Sequence, residues 1–404
     1  MEQPNCDTQD RGLPAALAWA CFLGSSWTWV IGMVVPALFV RDYGWMGFVA
    51  FALPNVLGAA AMGFVLKDAR ASSDITRRHQ DMCLRFSDVT IAYHAFVMSW
   101  LWSRLLGWPI VIGGLGLALF FWLLVQRRSA TRTAAVIVSV TSLMLFVVSW
   151  LTDHAWAGLW QDAPRMGTMD LLLFAPAAAM GFLLCPYLDL TFHRVRQSTD
   201  PQTGQRAFAI GFGGIFLCMI LFSLVYLWVI LTLTGSDAST YDGSTLLWSI
   251  LAIHLTLQSA FTLAVHAREI TVRRGTPELF RIGVMVCAGL LLGSIALSAG
   301  TRAFGLTLGE VFYRCFLLAY GLPFPAYVLL CMIPTRRPIA GRTRVIVWLI
   351  ATLVSLPFGY HAFMADTHAG LIVVGIVLLL ARGAIDLLPF KPVTIPSLDD
   401  AANL

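Results

Sequence analysis

Residues 13–40 read LPAALAWACFLGSSWTWVIGMVVPALFV, and residues 169–193 read MDLLLFAPAAAMGFLLCPYLDLTFH. Each run is long enough to cross a bilayer, which takes ~20 apolar residues. Each also carries what a plain anchor avoids in its middle. The first holds Gly24, Ser25, Ser26, Thr28, Gly32 and Pro36; the second holds Pro176, Gly181 and Pro186, then Asp189. Proline removes a backbone donor and crowds the preceding turn. Backbone groups freed that way in lipid must find partners in protein, water or a ligand. Ordinary kinks account for one such segment. Two, at matching places in the chain, point to paired broken helices around a binding site.

Composition sets the class. The 404 residues are 58% hydrophobic and 12% charged, with a mean hydropathy of +0.77, against about a quarter charged in a soluble domain. This is the balance of an all-α polytopic membrane protein, so the net charge of +5 carries no message about nucleic acid. The eight cysteines are scattered and form no CxxC, which favours small packing residues over a zinc site or disulfide framework. Met1–Asp10 lacks the basic start of a cleavable signal.

About twelve apolar spans are expected, near 13–40, 45–66, 88–106, 108–126, 133–152, 169–190, 207–234, 244–265, 281–300, 310–333, 342–363 and 367–388. Only Gly107-Trp108-Pro109 divides the third from the fourth. Of the 27 basic residues, 22 lie before the first span or after even-numbered ones; Arg41, Arg104, Arg165, Arg302 and Arg314 do not. A missed span would scramble that alternation. The positive-inside rule then places both termini in the cytoplasm, and the expected location is a bacterial inner membrane. Residues 1–12 and 389–404 are the expected cytoplasmic tails. Between them lie a ten-helix core (13–333, in two repeats, 13–152 and 169–333) and two further helices (342–388). The loop 67–88 fits an interfacial helix and a solvated loop equally.

Four spans, the first, second, third and sixth, carry a resemblance. GSSWTWVIGMVVPALFVRDYGWMG (24–47), CLRFSDVTIAYHAF (83–96) and MGFLLCPYLDLTFHRVRQS (180–198) resemble the sodium/solute symporter family, whose members include proline and sugar symporters. Membership implies the LeuT-type fold of the amino acid-polyamine-organocation superfamily: a 5+5 inverted repeat plus two C-terminal helices. Helices 1 and 6 are then broken around a small organic solute. The implied solute-binding residues are Ser25, Ser26, Trp27, Thr28, Trp29, Gly181, Phe182 and Pro186. The family's sodium site pairs helix 1 carbonyls, here near Phe22 and Ser25, with an Ala-x-x-Ser-Thr pattern on helix 8. Ala252 and Thr256 match that pattern, Ser259 follows, and Leu255 replaces the serine. The site is therefore weakened, rebuilt with Ser259, or lost.

Ionisable groups at membrane depth are functional candidates by default. His254 and Asp189 are the candidates for carrying a proton, and the competing readings are a hydrogen-bonded core histidine and a helix-end ion pair. His361, Asp366 and His368 lack a usual metal-ligand spacing. There is no HExxH, Walker A or nucleophile-elbow motif, so no enzyme is expected. The expectation is a secondary transporter coupled to Na⁺ or H⁺, with no cofactor beyond Na⁺. Its partners are a small-molecule solute and the lipid bilayer. A receptor of the same fold that binds a solute without moving it is the alternative.

Overall fold

The computed structural model describes residues 9–152, 164–226, 245–275, 278–298, 302–335 and 341–387. The first segment forms two helices, α1 (Leu13–Trp27) and α2 (Val30–Tyr43), set at 62° to each other. α3 (Trp45–Val65) and the short α4 (Ala69–Arg78) follow. α5 (Gln80–Val97) runs on through a π-helical turn, Met98–Trp102, to Leu106. Then come α6 (Trp108–Leu124), α7 (Arg128–Thr152), α8 (Thr168–Leu184) and α9 (Leu190–Ser198). α10 (Pro201–Val225) holds a second π turn. α11 (Thr245–Arg274) and α12 (Glu278–Ser298) precede a hairpin of β1 (Arg302–Ala303) and β2 (Leu306–Thr307). The chain continues with α13 (Leu308–Gly321), α14 (Pro323–Tyr327, continued by a π turn to Met332), α15 (Gly341–Met364) and α16 (Gly370–Leu387).

Among the described residues nine helices are long and apolar enough to cross a membrane, and the bent pair α1–α2 makes a tenth. Large apolar side chains stand on the outside: Leu151 and Leu379 are 71% exposed and Phe280 is 81% exposed. A monomer in water does not carry such a belt; lipid is the solvent that accepts it. The chain is an all-α polytopic integral membrane protein.

Three helices overrun their apolar limits. α5 starts at Gln80 rather than 88, α10 at Pro201 rather than 207, and α11 ends at Arg274 rather than 265. Hydropathy marks where lipid ends, whereas a helix continues as long as its i→i−4 bonds are made. The expected end of the seventh span at 234 and most of both tails lie outside the described residues. The loop after α3 resolves in favour of a helix, α4, capped by Asp68 accepting from the Ala71 amide at 2.8 Å. It packs on α9, where Ser72 Oγ meets His193 Nδ1 at 2.8 Å.

Packing divides the helices into two groups. α1 lies on α10, α3 on α8 and α10, and α2 on α3. Separately, α5 lies on α12 and α11, and α6 lies on α11. Gly289 and Gly293, one turn apart on α12, allow its close approach to α5: a Cβ at Gly293 would stand 2.7 Å from Phe96 O. α7 packs on both groups, against α1 and α10 and against α11, and the groups meet directly where α1 and α9 touch α11 and where α2 and α9 touch α5.

Candidate functional site

The first segment breaks at Thr28 and Trp29, and every carbonyl freed at the end of α1 has a partner. Gly24 O accepts from the Thr28 amide (3.0 Å) and hydroxyl (2.7 Å). Ser25 O accepts from Thr262 Oγ1 on α11 at 3.5 Å. Ser26 O accepts from the Trp29 indole, and Trp27 O from the Trp29 amide at 2.7 Å. Across the break, the Val30 amide donates to His94 Nε2 at 3.4 Å, while His94 Nδ1 faces Thr90 O at 2.8 Å. A carbonyl can only accept, so Nδ1 carries the proton and this histidine is neutral. Tyr313 on α13 donates to Val30 O at 2.8 Å. This is how irregular backbone survives at membrane depth. Pro36 lies inside α2 without breaking it.

The second segment breaks lower than its first proline. Pro176 lies within α8, and the chain leaves the helix at a 3₁₀ turn, Cys185–Leu188, followed by extended Asp189. Pro186 opens that turn. Asp189 caps α9, its Oδ1 accepting from the Thr191 amide at 2.7 Å. Thr191 Oγ1 then reaches Ser26 Oγ at 3.3 Å, which joins the two breaks.

Between the breaks lies a cavity of about 50 Å³, where one water needs roughly 10–15 Å³. Trp27, Trp29, Gly181 and Phe182 line it, with Asn55 and Tyr320. Asn55 Oδ1 accepts from the Trp27 indole at 2.7 Å. Gly181 belongs to a close contact, since a Cβ there would stand 2.7 Å from Tyr320 O. The other four expected solute residues serve the breaks: Ser25 turns to α7, Ser26 to α9 and Thr28 to its own helix, and Pro186 shapes the turn.

The ion-site residues separate. Ser25 Oγ meets Ser139 Oγ at 2.7 Å, and Ser139 Oγ donates to Cys21 O at 3.0 Å. Phe22 lies in the same turn of α1, its ring against Phe261 at 6.0 Å. From α11, however, Thr262 approaches Ser25. Thr256 lies six residues earlier, ~9 Å along the helix, facing Gly114 on α6. Ala252, half-buried, is ~15 Å back. Ser259 shares the Thr262 face, but its Oγ already accepts from the Trp102 indole at 3.0 Å. The displacement follows from the length of α11: a helix that runs to Arg274 has its midpoint near Ser259, not His254. His254 itself sits between the rings of Phe222 (4.5 Å) and Tyr226 (6.2 Å), with neither ring nitrogen hydrogen-bonded among the described residues.

Ion-pair networks stand at both ends of the bundle. At one, Glu310 on α13 accepts from Arg41 and Arg314 at 2.9 Å each, Arg41 also holds Asp42 (2.6 Å), and Arg314 also holds Asp366 (2.8 Å). His368 adds contacts to Tyr43 (3.0 Å) and Asp170 (3.5 Å). At the other, Arg194 donates to Thr131 Oγ1 at 2.8 Å, stands 3.7 Å from Glu269, and lies over the ring of Phe22. Asp10 there pairs with Arg128 and Arg132 at 3.0 Å each. Among the described residues no cluster of His, Cys, Asp and Glu could hold a metal ion.

Thr262, His94, His266, Asn55 and Tyr320 were not anticipated. His94 and His266 carried the signal that singled out His254, an ionisable residue in an apolar run. Thr262 was hidden by the register. No protein-family model and no curated protein matches the chain.

Proposed function

We propose that this chain is a secondary active transporter that moves a small organic solute by alternating access, on the 5+5 inverted-repeat plan of the sodium/solute symporters. The observation that carries this reading is the pair of helix breaks facing one cavity, tied together by Thr191 and Ser26. Interrupted helices at the centre of a bundle are how transporters hold solute and ion. Adding the α5 rod and α6, which is only 17 residues long, to the ten apolar spans gives twelve. The packing pattern supports the repeat. Exchanging spans 1–5 with spans 6–10 turns the α5–α12 contact into α11–α6, and α1–α10 into α8–α3, and each is a principal contact of this fold. Cytoplasmic termini and an inner-membrane location belong to the same reading.

Coupling to Na⁺ would draw on Ser25 and Thr262, with Ser139 beside them. These oxygens suit a hard cation, but α11 brings a single hydroxyl to them, Thr262 Oγ1, which already donates to Ser25 O at 3.5 Å. The chemistry is movement without covalent change, and no enzyme activity is proposed.

Two measurements test the reading. Thermal stability in Na⁺, against K⁺ or choline at equal ionic strength, rises if the folded state binds Na⁺, by ~2.7 kcal/mol at 100 times Kd; Thr262→Ala removes a rise that depends on this site. Solutes that raise the melting temperature are then assayed in proteoliposomes. Gradient-driven accumulation supports transport. Binding without counterflow would leave a receptor, and neither binding nor uptake across a broad panel would sink both readings.

A further inference from the structure

Asp189 is a carboxylate in the wrong place for a carboxylate. It is fully buried, at the break between α8 and α9. Its Oδ1 is engaged by the Thr191 amide, and its Oδ2 has no hydrogen-bond partner among the described residues. No Arg, Lys or His among them pairs with it. The titratable groups facing it from neighbouring elements are Cys83 on α5, Glu269 on α11 and Tyr320 on α13, none of them cationic. Of the nearby cations, Arg194 binds Thr131 and Val125 O, and Arg273 on α11 makes no ion pair with Asp189. Both ring nitrogens of His193 are engaged away from Asp189, Nε2–H donating to Tyr187 O at 3.0 Å and Nδ1 meeting the Ser72 hydroxyl at 2.8 Å. An unpaired charge at this depth costs several kcal/mol or more, and a carboxyl escapes that cost by taking a proton.

The geometry points to Asp189 as a proton-binding site whose proton is the coupling ion of this cycle, an inference that rests on the transport reading above. The step is simple: the carboxylate takes H⁺ from water when the site opens to one side and returns it to water on the other. While Asp189 is buried, the site holds the neutral acid. Its mechanical link is short, since Asp189 caps the helix whose Thr191 hydroxyl reaches Ser26 at the other break. Ionisation makes burial of Oδ2 unfavourable and favours whatever motion of α9 admits water, and that motion pulls on α1. His254 lacks this link, because its neighbours are two rings of α10.

The test is infrared difference spectroscopy of the full chain in liposomes, stepping pD from acid to alkaline. The wild type is expected to lose a protonated-carboxyl C=O band that is absent from Asp189→Asn, retained at a shifted frequency in Asp189→Glu, and unchanged in Glu269→Gln. If neither Asp189 variant folds, aspartate carrying ¹³C at the carboxyl decides the point in the wild type, because the band must then shift. A band that persists in Asp189→Asn, or ignores the label, overturns the proposal. For a solute found by thermal shift, Asp189→Asn should lose accumulation driven by a pH gradient while keeping counterflow, which needs no net proton movement. Counterflow with no pH-driven accumulation in the wild type would remove the proton and keep the transporter. A titrating Asp189 without counterflow would keep the proton-binding site and remove the cycle.

Discussion

Trp29 is held by its neighbours rather than by a helix. Its indole N–H returns to Ser26 O, and its ring meets Phe86 (5.3 Å), His266 (5.4 Å), Tyr320 (5.5 Å) and Trp27 (4.4 Å). Aromatic pairs at such distances add ~0.5–1.5 kcal/mol each beyond burial. One residue therefore connects the first break to α5, α11 and α13. His79, between α4 and α5, plays a similar part outside the spans: its Nδ1 meets the Tyr327 hydroxyl at 3.0 Å. Burial, helped by Arg344 and Arg78, pushes its imidazole below the ordinary 6.5. The folded protein thus resists a proton that the unfolded chain accepts. Stability from this group is complete above pH 6.5 and declines as pH falls below it. Melting curves between pH 8 and pH 5 should show a loss in the wild type that is smaller in His79→Gln. An equal loss in both would assign the acid sensitivity elsewhere.

At the scale of elements, ten of the twelve expected spans and the existence of both breaks could be read from the sequence, because apolar length and Pro-Gly-Ser interruptions are local properties. The place of each break could not. Pro36 and Pro176 sit inside continuous helices, while Cys185–Asp189 gives way; neighbours that satisfy freed backbone groups decide this, and they lie far along the chain. Arg41 and Arg314 looked like two exceptions to the charge alternation and turn out to share Glu310. The register of α11 was lost because its charged last turns, Arg268 to Arg274, do not look like a span. Gly181 shows what packing adds to the second break. It lets α8 lie against the carbonyl of Tyr320 at the end of α13. Gly181→Val would force backbone apart rather than displace a flexible side chain. Overpacking of this kind costs ~1–3 kcal/mol, and denaturation in detergent should show that loss. Gly375→Val, where a Cβ meets nothing within 4 Å, should change stability little. Equal effects from both would mean that the α8–α13 contact is not close in solution.

For the whole molecule, the distribution of contacts predicts how it moves. Contacts are dense within the group of α1, α2, α3, α8 and α10 and within the group of α5, α6, α11 and α12, and thin directly between them, with α7 and α9 touching both. Packed interiors respond as rigid bodies because they resist compression, so displacement concentrates at the thin boundary. That boundary carries Thr262 with Ser25, Arg194 with Glu269, and Trp29 with His266, the contacts next to both breaks. Spin labels placed on lipid-facing positions make this measurable. Leu57 on α3 and Leu291 on α12 are 56% and 62% exposed and lie in different groups; Ile112 on α6, 66% exposed, shares the group of Leu291. Electron–electron distance measurements on the Leu57–Leu291 pair should give a distribution that is broad or two-peaked and that shifts between pH 5 and pH 8. The Ile112–Leu291 distribution should stay narrow and fixed. If both pairs are narrow and indifferent to pH, the two groups form one body and alternating access by their relative motion fails. If both shift together, the molecule loosens as a whole, and the breaks are not where its motion is concentrated.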